Sequence, residues 1–143
     1  MEDVFQKLIL MIRAYYPVLY LHSYEYYRTK QKIKGIVELL RREGKKVNYY
    51  QWDCVYGLVQ ILPDKTEKRI ERMQNPLEVL AYILNSKKSG EKNIFVLDDI
   101  NNHIDRDEVK LMFRKIAEAT NNNTHAIILS SIYRLPAELE KYI

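Results

Sequence analysis

Asn93-Ile94-Phe95-Val96-Leu97-Asp98-Asp99-Ile100 is the stretch that decides how this chain folds. Four apolar residues run without interruption and end on two carboxylates. A run this short and unbroken suits a strand buried on both faces of a parallel sheet. Open α/β sheets take their ligands at the carboxyl ends of such strands, which is where Asp98 and Asp99 fall. The plainer reading is a core strand that ends in an acidic turn, since Asp readily opens turns.

Outward from this run, Val18 to Leu21 and Ala126 to Leu129 are further unbroken apolar strands, and Val47 to Trp52 is a fourth, rich in Tyr and Trp. Helical patterns separate them. Val4, Leu8, Met11, Ile12 and Tyr15 recur at helical spacing, predicting an amphipathic helix from about Asp3 to Tyr15, stopped by Pro17. A long helix follows from about Tyr24 to Glu43, with Ile33, Ile36, Val37 and Leu40 as its buried stripe. Ser23 is its expected N-cap, and Gly44 sits at its left-handed C-terminal position. Asn75 caps the next helix, with Pro76 first, Glu78 three residues after the cap, and Leu77, Leu80, Ala81 and Leu84 on one face. Asp105 and Glu108 read as a second capping box, ahead of a helix that buries Val109, Met112, Phe113 and Ile116. Leu58 to Leu62 and the stretch before Met73 read as a hairpin around Pro63-Asp64, although Thr66 to Met73 could equally be helical. Lys87 to Lys92, with Gly90, reads as a polar loop, Asn121 to Asn123 as a turn, and a short helix is expected near Pro136. Helix, β-α-β, a variable piece, then α-β-α-β-α: this order predicts an α/β three-layer sandwich with a mainly parallel sheet, as one domain over 1–143.

Composition agrees. Hydrophobic residues make up 47% and charged residues 29% of the 143, an ordinary globular balance at a length that supports one core. The net charge of +4 permits an acidic partner without requiring one, because acids interrupt the basic residues. No apolar run is long enough to cross a bilayer, and Glu2 and Asp3 argue against a signal peptide. A single cysteine, Cys54, excludes an internal disulfide and a Cys-based zinc site, and a reducing, cytoplasmic setting fits.

In P-loop ATPases, an apolar strand ending in two acids is the Walker B strand. Its first Asp holds Mg²⁺ through water, and the next acid polarises the attacking water. That chemistry also needs a glycine-rich turn after the first strand, a Lys for the phosphates and a Ser or Thr for the metal. Here the turn reads His22-Ser23-Tyr24-Glu25-Tyr26-Tyr27-Arg28-Thr29-Lys30, with no glycine. A triphosphate at this helix start would meet the Glu25 carboxylate and bulky tyrosines. Gly44-Lys45 follows a helix rather than a strand, so its context is wrong.

The segment from Ile12 to Glu25, then Tyr50-Gln51-Trp52 with Gly57-Leu58, Asn75-Pro76-Leu77, Ile94 to Asp99, Ile127 to Ser131 and Leu135-Pro136-Ala137-Glu138-Leu139 together resemble the AAA-family ATPases encoded in algal plastids and cyanobacteria, with relatives in other bacteria. The resemblance covers nearly the whole chain and departs between Leu58 and Met73, which is longer and more charged. It implies the N-terminal domain of a longer AAA ATPase, a degenerate P-loop-like fold lacking Walker A. Such a domain would be non-hydrolysing and would serve assembly or the binding of a partner or substrate. Asp98 and Asp99 take the Walker B-like positions, Ser130 the sensor-1-like position, and Ser23, Tyr24 and Glu25 the degenerate phosphate-loop position. No catalytic residue carries over. No cofactor is expected in this domain; Mg-ATP is the possible one, with Asp98 a metal ligand only if Mg²⁺ is bound. The implied partners are the remaining AAA module of the same protein, a protein partner, or both. The AAA strand order would leave Val18 to Leu21 as an exposed apolar edge, so the chain is expected either to continue or to pair this edge with another copy.

Two other functional readings stand beside this one. The first is a nucleotide-binding domain that uses Asp98 and Asp99 with an unorthodox cradle, against which the missing glycines count. The second is a nucleic-acid module, motivated by a sequence pI near 9.0 and by tyrosines around the first two strands interleaved with Arg28, Lys30, Lys32 and Lys34. Tyrosines filling strand and interface positions and lysines solvating a helix explain the same pattern more simply, so nucleic acid is disfavoured. His22, His103 and His125 lack metal-ligand spacing. His22 reads as a packed or capping residue, Cys54 as a buried inert thiol, Trp52 as a core or edge aromatic and Lys87-Lys88 as a solvated loop. Arg134, after the sensor-1-like strand, lies near where AAA rings can present an arginine to a neighbour.

Overall fold

A computed structural model describes residues 2–70, 73–86, 91–119, 123–137 and 139. Its elements run α1 (Glu2–Arg13), β1 (Val18–His22), α2 (Tyr26–Arg42), β2 (Val47–Asp53), β3 (Gly57–Ile61), β4 (Glu67–Ile70), α3 (Pro76–Ser86), β5 (Lys92–Asp98), a 3-10 turn (Ile100–His103), α4 (Asp107–Glu118) and β6 (Thr124–Ser130). The sheet order is β1-β6-β5-β2-β3-β4. The first four strands are parallel, and β3 and β4 extend β2 as an antiparallel meander.

Double burial of β5 organises the layers. Residues Lys92 to Leu97 are all buried. Ile94 and Val96 pack with Leu8 and Ile12 of α1 and with Ile33 and Leu40 of α2. Phe95 and Leu97 face the opposite cluster, with Val79 and Ile83 of α3 and Val109 and Phe113 of α4. Phe95 stacks on Tyr50 of the neighbouring strand, ring centroids 4.4 Å apart and planes 6° from parallel. The three-layer expectation holds, and the hairpin reading of the variable piece holds over the helical one. Asp64 Oδ1 accepts from the Thr66 amide at 3.0 Å and its hydroxyl at 2.6 Å, and Lys65 takes the left-handed φ of 71° that closes the turn.

Several local readings need correction. α2 begins at Tyr26 rather than Tyr24, and Ser23 does not cap it. The Ser23 hydroxyl instead accepts from the Glu25 amide and pairs with the Thr29 hydroxyl at 2.9 Å, so the turn folds on itself before the helix starts. The Asp105/Glu108 capping box is absent: the chain makes the 3-10 turn first, and Arg106 stands at the cap of α4 without a side-chain bond. α3 buries Val79 and Ile83 beside Leu80, with Leu77 and Leu84 at the margin, a rotation of the expected face. The Asn75 cap is as expected, its Oδ1 accepting from the Leu77 amide at 2.9 Å. Gly44 has φ 88°, the left-handed C-terminal position. Gly57 has φ 80°, and a Cβ there would come within 3.3 Å of the Met73 backbone. The 87–90 loop and the turn residues 121–122 lie outside the described residues. Of the helix near Pro136, one turn is described, in which the Leu139 amide bonds to the Pro136 carbonyl at 2.9 Å.

A buried polar pair ties the amino end of the sheet together. Lys92 Nζ donates to His125 Nε2 at 2.9 Å, and His125 Nδ1 donates to the Tyr16 carbonyl at 2.7 Å. A carbonyl can only accept, so Nδ1 carries the proton and Nε2 is left to receive the ammonium. The Tyr15 ring lies 5.4 Å from the same ammonium. Burial pushes the Lys92 amine down to about 8, and nearby Lys45 adds to the shift. Between this value and the ordinary lysine range of about 10.4, the unfolded chain binds more protons than the folded one, so stability rises with pH. Relative to Lys92→Met, the wild-type unfolding free energy should rise by roughly 2–3 kcal/mol between pH 8 and 10.5 in urea titrations, and a flat difference would contradict burial of the amine.

Candidate functional site

Asp98 ends β5 and Asp99 leaves it, with φ 58° and ψ 24°, so the two carboxylates point in different directions at the carboxyl edge of the sheet. Each meets α2. Lys30 donates to Asp98 Oδ2, and Tyr26, one helical turn earlier on the same face, donates its hydroxyl to Asp99 Oδ1 at 2.6 Å. The Tyr26 oxygen also accepts from the Ser131 amide at 2.9 Å, so the hydroxyl bridges the ends of β5 and β6. Lys30 and Asp98 are only 20% and 14% exposed, and this shielding makes the ion pair stronger than a surface one. Burial pushes the Asp98 carboxyl up; Lys30 pulls it down, Asp53 and Asp99 add to the rise, and the balance is upward. Asp98 Oδ1 is enclosed and has no hydrogen-bond partner among the described residues.

The other expected site residues are dispersed around this latch. Ser130 is buried, but its hydroxyl accepts from the Ile132 amide at 3.1 Å. It shares the sheet face of Ala126 and Ile128, whereas Asp98 shares the face of Ile94 and Val96 that α2 covers. Ser131, the next residue, is the one that reaches Tyr26. Ser23 is spent on Thr29, Tyr24 is exposed, and Glu25 lies 3.5 Å from Arg28. Beside the latch, Gln51, Asp53, Tyr56, Glu67 and Arg69 line an open cleft of about 410 Å³ with charges of both signs.

His22 donates Nε2–H to the Ser131 carbonyl at 2.8 Å, far from His125, and no group of three metal-ligating side chains forms among the described residues. Cys54 is exposed rather than buried: it sits in the turn after β2, where Asp53 Oδ1 accepts from the Val55 and Tyr56 amides. Trp52 is a core residue that donates to the Met73 carbonyl. Lys30 turns into the latch and Lys32 lies 5.8 Å from the Phe5 ring, so the basic residues do not form one outward stripe with the tyrosines. The Arg134 amide bonds the Tyr20 hydroxyl at 3.1 Å. No described helix is long and apolar enough to cross a membrane. Tyr26 and Lys30 carry the one signal that sequence reading passed over: spaced four apart in the first turns of a helix that follows β1, they face whatever ends the adjacent strand.

A mainly parallel sheet between two helical layers, with paired acids at the carboxyl end of its central strand, defines an AAA-like α/β domain. The chain belongs to the SpoVK-like AAA ATPase N-terminal domain family, whose model matches residues 4–143. It is similar to the uncharacterised AAA domain-containing protein ycf46 of Guillardia theta, 26% identical over 136 residues. That match takes in 94% of this chain but 25% of the relative, so the chain spans about a quarter of the relative's length. No solved structure matches significantly.

Removing Lys30 alone strands a buried carboxylate, whereas removing both partners does not. Lys30→Met should therefore cost roughly 2–3 kcal/mol at pH 7, and Lys30→Met/Asp98→Leu should recover most of it. Chemical denaturation of the four-member cycle measures this; additive losses would mean that the pair carries no coupling.

Proposed function

We propose that this chain is a non-hydrolysing N-terminal domain of an AAA ATPase, serving assembly with the rest of that protein or capture of its partner. The observation that carries the reading is the latch: Lys30 and Tyr26 bond the two carboxylates that a hydrolase would direct at metal and water. Mg²⁺ requires near-octahedral oxygen ligands, several of them water, and room for them. Here Asp98 offers one enclosed oxygen with an ammonium on the other, so the residues present do not fit a magnesium–nucleotide group. The β1–α2 turn, His22 to Glu25 without glycine, offers an acidic side chain where phosphate would sit. On this reading the domain takes no cofactor, any ATPase activity belongs to the rest of the protein, and the setting is cytoplasmic.

A second reading, Mg-ATP binding through the acid pair, has one observation in its favour, the unpartnered Asp98 Oδ1. Calorimetric titration with Mg²⁺ and ATP separates the two, with Asp98→Ala/Asp99→Ala as control. No heat at millimolar ATP is the expected result. Saturable binding that the control abolishes would establish a metal–nucleotide site and overturn the reading that the nucleotide cradle is missing.

A further inference from the structure

The cleft of about 410 Å³ beside the latch is built on the antiparallel meander. Gln51 lies opposite Val59, and Val59 opposite Arg69, so these three form one row across β2, β3 and β4. Side chains alternate between faces along each strand, which puts Asp53 on the face of Gln51 and Glu67 on the face of Arg69. This is the sheet face that α2 covers further in, over Tyr49 and Val96. The cover gives out toward the edge: Tyr49 is buried, Gln51, Asp53 and Val59 are half-buried, and Glu67 and Arg69 are exposed. Lys30 of α2 and Tyr56 of the β2–β3 turn complete the lining.

The charges in this cleft are not spent on one another. Lys30 is held by Asp98. No ion pair among the described residues uses Asp53, Glu67 or Arg69. Glu67 and Arg69 stand two residues apart on one face, about 6.8 Å along the strand, without joining. Asp53 Oδ1 accepts from the Val55 and Tyr56 amides, and no cation meets the carboxylate. Gln51 gives its amide nitrogen to the Tyr49 hydroxyl at 3.0 Å, which leaves its carbonyl oxygen as an acceptor. The cleft thus holds one uncommitted cation and two uncommitted anions around the apolar Val59. Its volume is of the size that small-molecule sites occupy.

We propose that this cleft binds a free α-amino acid with a long cationic side chain, arginine or lysine. The α-carboxylate pairs with Arg69 and the α-ammonium with Glu67. The side chain crosses Val59, and its cation meets Asp53 and the Gln51 carbonyl oxygen. Charge selects this class: two anions and one cation on the protein match two cations and one anion on the ligand. A nucleotide or a dicarboxylate brings the wrong sign to Asp53 and Glu67. Spacing selects it too. Two groups that share one α-carbon suit the separation of Glu67 and Arg69. Asp53 lies two strands from Arg69, about 10 Å away, so a short side chain falls short and a long one reaches. Within a polypeptide both α-groups are consumed in peptide bonds, so a chain segment cannot make the paired head contact. The inference does not rest on the latched carboxylates or on the missing phosphate loop, so it and the ATP titration fail independently.

Heteronuclear NMR titration of this chain with free arginine tests it, read at the Gln51, Val59 and Arg69 amides. Three truncated ligands serve as comparators: agmatine lacks the carboxylate, Nα-acetylarginine lacks the α-ammonium, and citrulline lacks the side-chain cation. Arginine should saturate with a Kd of about 1 mM or tighter, and each truncated ligand should bind about tenfold more weakly. Arg69→Gln should weaken arginine about tenfold without weakening agmatine, which has no carboxylate to lose. Glu67→Gln should weaken arginine similarly and leave Nα-acetylarginine unchanged. Both positions are exposed on an edge strand, so neither substitution threatens the fold. Absence of saturation at about 10 mM arginine would overturn the proposal. Equal losses for every ligand in both variants would overturn it as well, since that is the mark of a general charge effect. Binding of a mixed-charge peptide in place of arginine would assign the cleft to a protein partner and overturn it too.

Discussion

Burial of β5 on both faces is the constraint from which the rest of this fold follows. A strand whose side chains alternate between two apolar environments cannot lie at a surface, so each sheet face must carry a helical layer. α1 and α2 close one face, α3 and α4 the other. The parallel neighbours β6 and β2 then bury the strand's backbone edges, and the crossovers between parallel strands carry the helices that do the covering. The cost falls at the strand ends. At the amino end Lys92 must lie in the interior, where it is tolerable because His125 accepts its proton-bearing nitrogen and the Tyr15 ring faces it. At the carboxyl end Asp98 must lie half in the core, and Lys30 meets it there.

The carboxyl end thus has two possible tenants, a cation from solvent or a cation from the chain. Burial alone would favour a neutral Asp98. An ammonium delivered by α2 stabilises the ionised form without recruiting anything, and its attachment to a packed helix makes its local concentration very high. Tyr26 does the same for Asp99 and adds a mechanical consequence. By accepting from the Ser131 amide, it holds the ends of β5 and β6 at fixed separation, the gap in which an open α/β sheet would otherwise admit a ligand.

The elements legible in the sequence are those decided by local pattern. Three unbroken apolar runs and the Tyr- and Trp-rich Val47 to Trp52 marked the parallel strands, and the 3.6-residue stripes of α2 and α4 marked their buried faces, because those signals need no knowledge of a partner; the α1 stripe was turned, since Leu8 and Ile12 are buried beside Phe5 while Val4, Met11 and Tyr15 are exposed. What stayed hidden required one. Lys30 and Asp98 are 68 residues apart, Tyr26 and Asp99 are 73, and nothing in either segment says that they meet. Caps misled for a related reason: Ser23 is a good cap residue, but its hydroxyl is spent in the turn that precedes α2, and a competing local bond of this kind is invisible until the turn is formed. Cys54 was misplaced because a free cysteine is usually buried, whereas here Asp53 draws the chain into a tight turn that leaves the thiol outside. The open β1 edge was legible only through strand order; the walls beside it were not, since every residue of α1 is 120 or more positions from Tyr133.

The carboxyl end of β5 and the edge of β1 differ in what they leave unsatisfied. A site that binds and releases needs groups that are unsatisfied in the free state and satisfied in the bound one. At the acid pair Asp98 Oδ1 alone is left unsatisfied, and the Lys30 ammonium held on Oδ2 would repel a cation brought to it. At the β1 edge no second strand among the described residues bonds the outward backbone groups, and Val4, Met11 and Tyr133 stand exposed beside it.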